Sequence, residues 1–192
     1  SSDLCWYDVL EGTNPGFLYQ QNTMRDAIVA AVHLNIFNSR SDIVCMANLA
    51  QAVNVLQSLL LTEGEKLVKT PTYHVFDMYR THQDAQLVYS FTENSVQNNI
   101  PVVSQSASID KDGNMTLTFS NASLDEDFEI DCSLVGFDAK NVSARILTED
   151  VRAYNDFDAP EKIKPAEHKA DITDKGVKFT LPKCSVVSIR LS

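Results

Sequence analysis

Apolar positions follow a long period up to about residue 84 and a short, alternating one beyond it. In the first part Met24, Ile28, Ala31, Val32 and Ile36 recur at i, i+4, i+7 spacing, which predicts an amphipathic helix over Met24–Phe37. Asn22 or Thr23 supplies an N-cap, and Asp26 falls in the first turn, where the helix dipole favours a carboxylate. The turn-rich stretch Leu10–Gly16 precedes this helix as a loop, and Asn38-Ser39-Arg40-Ser41 ends it. Ile43–Val53 is a continuous apolar run, which by pattern alone fits a buried helix or a buried parallel strand. Gly64 breaks the next stretch. Thr70-Pro71-Thr72 then gives cap and first-turn signals for a helix through Tyr73–Thr81.

The second part reads as strands. Val102–Ser108 leads into Asp110-Lys111-Asp112-Gly113, a hairpin signal in which Gly supplies positive φ, and Met115–Phe119 alternates strictly after it. Asp127–Leu134 alternates with Phe128, Ile130 and Cys132 on one face, and Val142–Leu147 continues the series. A loop through Asp156, Pro160 and Pro165 separates these from Val177–Leu181 and Ser185–Leu191. Short strands with Gly/Asp turns predict an antiparallel β-sandwich. The expected fold class is therefore mixed α and β, with helices first and a sandwich after.

Composition narrows the function classes. The 192 residues carry 16 basic and 26 acidic side chains, a net charge of −10, which repels phosphate backbones and anionic membrane surfaces. No apolar run approaches the roughly 20 residues that span a bilayer. The start, Ser-Ser-Asp-Leu-Cys-Trp, lacks a basic n-region and an apolar signal core, and reads as a beginning inside a longer chain. Cys5, Cys45, Cys132 and Cys184 form no closely spaced pair, so neither a zinc site nor a disulfide framework is expected, and their apolar settings predict buried thiols. His33, His74, His82 and His168 make no zinc-binding pair. Asp125-Glu126-Asp127 and Asp110–Gly113 read as solvated turns rather than calcium loops. No metal and no cofactor is expected. Three glycosylation triplets, at Asn114, Asn121 and Asn141, occur no more often than chance supplies.

Local residue order says more. Cys5-Trp6-Tyr7-Asp8, Glu11 through Ala27, Met46 through Val55, Thr70 through Phe76, Asn155 through Pro160 and the strand at Ser185-Val186-Val187 resemble, in the same order, the family 51 glycoside hydrolases, the α-L-arabinofuranosidases. The resemblance implies the end of a (β/α)₈ barrel over residues 1–83 and a jelly-roll type C-terminal β-sandwich over 84–192. It also turns the 43–53 run into the eighth barrel strand. In the family an Asp-Glu-Trp carries the nucleophile shortly before a Trp-Tyr pair. Counting back from Trp6-Tyr7 puts that position at Ser2, with Ser1 and Asp3 also departing from the pattern. The acid/base Glu belongs to the fourth strand, upstream of everything here.

Retaining hydrolysis needs two carboxyls about 5 Å apart, and an unassisted serine hydroxyl replaces neither. The chain is therefore expected to hold no catalytic residue. The resemblance places two sugar-contacting residues in it: Trp6, offering an aromatic face, and Gln51, at the C-terminal end of the eighth strand, where barrel active sites sit. For the parent enzyme it implies arabinofuranosyl oligosaccharides as substrate, a homo-oligomer, and a cytoplasmic location. The rival reading is a stand-alone carbohydrate-binding or interaction sandwich. Such a module needs exposed aromatics, and of Phe119, Phe128, Phe137, Tyr154, Phe157 and Phe179 three occupy alternating strand positions (Phe119, Phe128 and Phe179) and read as core.

Overall fold

The structure is a computed structural model that describes residues 22–49, 52–93, 96–97 and 100–192. Helix α1 (Met24–Ser39) is followed by strands β1 (Leu60–Glu63) and β2 (Lys66–Lys69), helix α2 (Pro71–Tyr79) and a 3₁₀ turn (Arg80–His82). Strands β3 (Gln86–Val88), β4 (Val96–Gln97), β5 (Ile100–Pro101), β6 (Val103–Ile109), β7 (Met115–Asn121), β8 (Phe128–Ser133) and β9 (Val142–Thr148) come next. Strands β10 (Ala166–His168), β11 (Ala170–Ile172), β12 (Gly176–Leu181) and β13 (Ser185–Leu191) complete the series.

Both helices start as their sequences dictate. The Asp26 carboxylate accepts from the Thr23 backbone N–H at 2.8 Å and from its hydroxyl at 2.9 Å, fixing the entry to α1. Thr70 caps α2 by accepting from the Tyr73 amide at 3.3 Å, with Pro71 pre-set for the first turn. The predicted helix through Thr81 tightens into the 3₁₀ turn after Tyr79.

A six-stranded antiparallel sheet, ordered β10-β9-β13-β7-β6-β3, faces a three-stranded one, ordered β11-β12-β8. Alternation sorts the side chains between the two faces of the larger sheet. Met115, Leu117 and Phe119 of β7 and Val187, Ile189 and Leu191 of β13 point inward and pack on Val177, Phe179 and Leu181 of β12. The Phe119 and Phe179 rings meet edge to face, 5.1 Å between centroids. The opposite face is not solvated. Leu147 of β9 and Val186 of β13 pack beneath Met24, Ala27, Ile28 and Ala31 of α1 and Val75, Met78 and Tyr79 of α2. Covered on both sides, β7 is buried at all seven positions, hydroxyls included.

The structure departs from the sequence reading in several places. Residues 44–49 form no strand; Ile43 and Met46 are 69% and 71% exposed, where a buried parallel strand is predicted. A parallel strand is stable only between neighbours that satisfy its backbone on both edges. Among the described residues of this run only Val53 makes such a link, a single parallel bridge to Leu60. Cys45, inside the run, is consequently exposed, while Cys132 is half-buried and Cys184 buried; Cys5 lies outside the described residues. Gly64, read as a break, is the positive-φ residue of the β1–β2 hairpin turn. Asn121, one of the glycosylation triplets, is buried, and its amide donates to the carbonyls of Glu126 and Pro182 at 2.9 and 3.1 Å.

Two glycines with different surroundings test the backbone. Gly113 adopts φ +82 in the β6–β7 turn with open space where a Cβ would stand. Gly176 (φ +156) pairs with Ser133, and an added Cβ there would lie 2.2 Å from the Cys132 carbonyl oxygen and 2.9 Å from the Leu134 amide. Gly113→Ala is expected to cost about 1 kcal/mol, the ordinary penalty for positive φ. Gly176→Ala adds a clash with fixed backbone and is expected to cost over ~2 kcal/mol. Urea unfolding of both variants measures the difference; equal losses would contradict the clash.

Candidate active-site margin

Trp6 and Gln51, the two predicted sugar-contacting residues, lie outside the described residues, as does Ser2. What the structure describes is the framework that adjoins them in sequence. After Gln51 the chain turns back on itself: the Ala52 carbonyl accepts from the Leu59 and Leu60 amides, both at 3.0 Å. Asn54, at φ +52, locks this loop to β1, its Oδ1 accepting from the Thr62 amide at 2.7 Å and its Nδ2 donating to the Thr62 hydroxyl at 2.8 Å.

The loop converges on one carbonyl. Ser58 O accepts from the buried Asn22 amide at 3.2 Å and from the Thr70 hydroxyl at 2.9 Å. Three stretches that carry the family resemblance thus end at, or lead into, the same point: the segment through Ala27, the run through Val55, and the Thr70–Phe76 helix start. The fourth joins from the sandwich side. Asn155, 3% exposed, donates to the Lys69 and Ile163 carbonyls, both at 2.8 Å, and accepts from the Ile163 amide at 2.7 Å. Tyr154 beside it forms an antiparallel bridge with Thr23. Asp156 holds the following turn by accepting from the Asp158 and Ala159 amides. The motif is a staple that fixes α1 and the end of β2 to the sandwich.

No described carboxyl is poised for acid/base work. A glycosidase acid requires a raised pKa, whereas the carboxyls that shift here shift downward. Hydrogen bonds from the Asn114 amide and side chain, with Arg190 also paired to it, hold Asp110 down to about 2. A hydrogen bond from Arg40 lowers Asp42, and one from Lys164 lowers Glu161. Asp26, the buried one, is committed to the α1 cap. His74 on α2 is held below the ordinary imidazole range by burial first and by the nearby Lys69 charge second, and the Lys69 ammonium sits 5.1 Å from the Tyr73 ring centroid. Among the described residues no group of three or more His, Cys, Asp or Glu could hold a metal ion. A cleft of about 570 Å³ beside β9 and β10 offers Ser143, Arg145, Glu167 and His168, but Arg145 is paired with Asp77 at 3.4 Å and no Phe, Tyr or Trp lines it.

Two features escape the sequence reading. Tyr89 and Phe91, which follow β3, are 88% and 73% exposed, and no sequence signal beyond their aromatic character singles them out. His82, read as an isolated histidine, sits in a buried cluster of hydroxyls. The regular Ser104, Ser106, Ser108 and Thr116, Thr118, Ser120 series opposite the helix pair is the signal for it.

Fold and framework together define a sandwich-type domain with helices built onto one sheet and its ordered polar groups used as supports. A family model described as the α-L-arabinofuranosidase C-terminal domain matches residues 5–185. The chain therefore belongs to the α-L-arabinofuranosidase C-terminal domain family. It is 44% identical over 193 residues to an intracellular exo-α-L-arabinofuranosidase of Bacteroides ovatus, with 97% of this chain and 38% of that protein covered. The GH51 arabinofuranosidase of Xanthomonas axonopodis pv. citri superposes with a TM-score of 0.85 at 37% identity, covering 97% of this chain and 39% of that one. The α-L-arabinofuranosidase of Thermotoga maritima, in an arabinose complex, gives 0.81 at 25% identity, covering 96% and 41%. The chain thus spans about two-fifths of the length of these relatives.

The staple makes a measurable claim. Asn155→Ala removes three buried hydrogen bonds and leaves the Lys69 carbonyl and the Ile163 backbone short of partners. A loss of about 2–4 kcal/mol in urea unfolding is expected, against less than about 1 kcal/mol for Asp158→Ala on the exposed turn. A loss under 1 kcal/mol at Asn155 would show that the staple contributes little.

Proposed function

We propose that this chain is the C-terminal part of an α-L-arabinofuranosidase, an enzyme that removes terminal non-reducing α-L-arabinofuranosyl residues from arabinose-containing polysaccharides with retention. The observation that carries the reading is the collinear 44% identity to an arabinofuranosidase, extending over nearly the whole chain. In this reading residues 1–83 close the (β/α)₈ barrel and residues 84–192 are the sandwich packed on it. The exposed apolar run at Ile43 and Met46 is then the edge that the neighbouring barrel strands cover. Trp6 offers its face to the sugar ring and Gln51 hydrogen-bonds to its hydroxyls. Neither catalytic carboxylate comes from this segment, since Ser2 stands at the nucleophile position and the acid/base strand lies upstream. The segment's share of the work is to complete the pocket wall and hold it rigidly through the Ser58 and Asn155 bonds. A cytoplasmic location fits the relative described as intracellular, and the family resemblance implies a homo-oligomer.

The 192-residue chain alone is expected to release no nitrophenol from an aryl α-L-arabinofuranoside. Fused behind the barrel portion of the Bacteroides ovatus relative, it should support turnover. Trp6→Ala or Gln51→Ala in that fusion should lower kcat/KM by about 10- to 100-fold, a loss of ~1.4–2.8 kcal/mol of transition-state binding. Turnover that co-purifies with the isolated chain, or a folded, active fusion indifferent to both substitutions, would overturn the assignment.

A second reading, a carbohydrate-binding sandwich, has one observation in its favour: Tyr89 and Phe91 stand exposed two residues apart. Affinity electrophoresis in arabinan separates the two. Retardation lost in the Tyr89→Ala/Phe91→Ala variant supports a binding module, and unretarded migration of the wild-type chain eliminates it.

A further inference from the structure

The seam between the helix pair and the sheet is polar at one end, and its hydrogen bonds constrain one another; the Ser106 and Thr118 hydroxyls also lie 2.9 Å apart. Asn35 of α1, 1% exposed, accepts at Oδ1 from the Ser106 hydroxyl at 2.9 Å and from the Thr118 hydroxyl at 2.8 Å. Its Nδ2 donates to Ser104 Oγ at 3.2 Å, and Asn38, one turn on, donates to Ser106 Oγ at 3.2 Å. The single proton of Thr118 is therefore used on Asn35. The Thr118 oxygen, 3.0 Å from His82 Nε2, can only accept there, so Nε2 carries the imidazole proton. Nδ1, 2.7 Å from Ser108 Oγ, is left as the acceptor for that hydroxyl. Every bond is satisfied by a neutral ring in one tautomer, which ties the 3₁₀ turn after α2 to both β6 and β7.

Among the described residues, a charged ring has no counter-ion waiting. α1 presents Asn35 and Asn38, and β6 and β7 present hydroxyls. α2 presents Tyr79, whose ring centroid lies 5.7 Å away, whose phenol donates to the Ala31 carbonyl at 3.4 Å, and which burial keeps protonated. β13 presents Arg190, itself a cation, paired with Asp110 of the β6–β7 turn and donating to Thr116 Oγ1 at 2.9 Å. The Asp110 carboxylate is thus already neutralised. Protonation would also turn Nδ1 into a donor and force Ser108 to reverse its bond.

We propose that His82 is a pH-sensitive latch on this seam: its neutral ring bolts the helix pair to the sheet, and its protonation in mild acid weakens that attachment. Burial first, and Arg190 second, lower its pKa to about 4, against about 6.5 when the seam is open. The open form therefore binds the extra proton between these values. The latch holds fully above about pH 6.5 and weakens as pH falls towards 4.

Hydrogen exchange on the 192-residue chain, corrected for intrinsic rates, tests this at pH 7.0 and 4.5. The opening constant for amides of α1 and α2 is expected to rise about 50-fold, from the two pKa values through the linkage relation. His82→Gln, which keeps a donor and an acceptor without a titrating ring, should reduce the helix rise to a few-fold. That variant also separates His82 from His74, the other depressed imidazole on the helix pair. Ring ¹⁵N shifts should report the Nε2–H tautomer at pH 7. An unchanged rise in His82→Gln, or a His82 ring that titrates near 6.5, would each overturn the latch.

Discussion

The six-stranded sheet is covered on both faces, and by different chemistry on each. Towards β12 and β8 it shows Met, Leu, Phe, Val and Ile, and each such side chain, once buried, contributes about 1.5–3 kcal/mol. Towards the helices it shows Leu147 and Val186 at one end and a row of serines and threonines at the other. A hydroxyl buried without a partner costs about 1–3 kcal/mol, so the second face is tenable only if the helices bring the right polar groups. Asn35, Asn38 and His82 do so for Ser104, Ser106, Ser108 and Thr118, while the buried Ser120 hydroxyl makes no hydrogen bond. The helices are consequently specified by position as well as by hydrophobicity. A slip of α1 by one residue would unpair Asn35 from both strands.

The same constraint decides what the sequence could reveal. Strand locations were legible because the inward face alternates strictly, and helix starts because Thr23, Asp26, Thr70 and Pro71 are strong local signals. That the outer face of β6 and β7 is buried was not legible. Serine and threonine at every second position look like a solvated face, and only the opposing Asn35–Asn38 pair could have corrected that. Strands of three residues, such as β3, β10 and β11, are too short to show a period. The run at 43–49 failed for the opposite reason. Its apolar pattern is that of a strand, but pattern does not supply the neighbours that would pair with it.

The family-like stretches gain a physical reading from their convergence. Asn22, Ser58 and Thr70 share one carbonyl, and Asn155 ties the sandwich to the end of β2. These bonds explain why distinctive residues far apart in sequence occur together without being catalytic. They also join helices from the first part of the chain to strands of the second, through a seam continuous with the apolar cluster of Met24, Val75, Met78, Leu147 and Ile163. The candidate pocket residues Trp6 and Gln51 were legible through resemblance alone, since neither lies within a periodic or charged pattern that would single it out.

If the doubly covered sheet is the organising element, helices and sandwich should unfold as one unit at neutral pH. Native-state hydrogen exchange at pH 7.5 across a urea series measures this directly. The account predicts that amides of α1, α2, β7 and β13 converge on one opening free energy and one urea dependence. Helix amides that open several kcal/mol below the β7 and β13 amides, with a small urea dependence of their own, would contradict it.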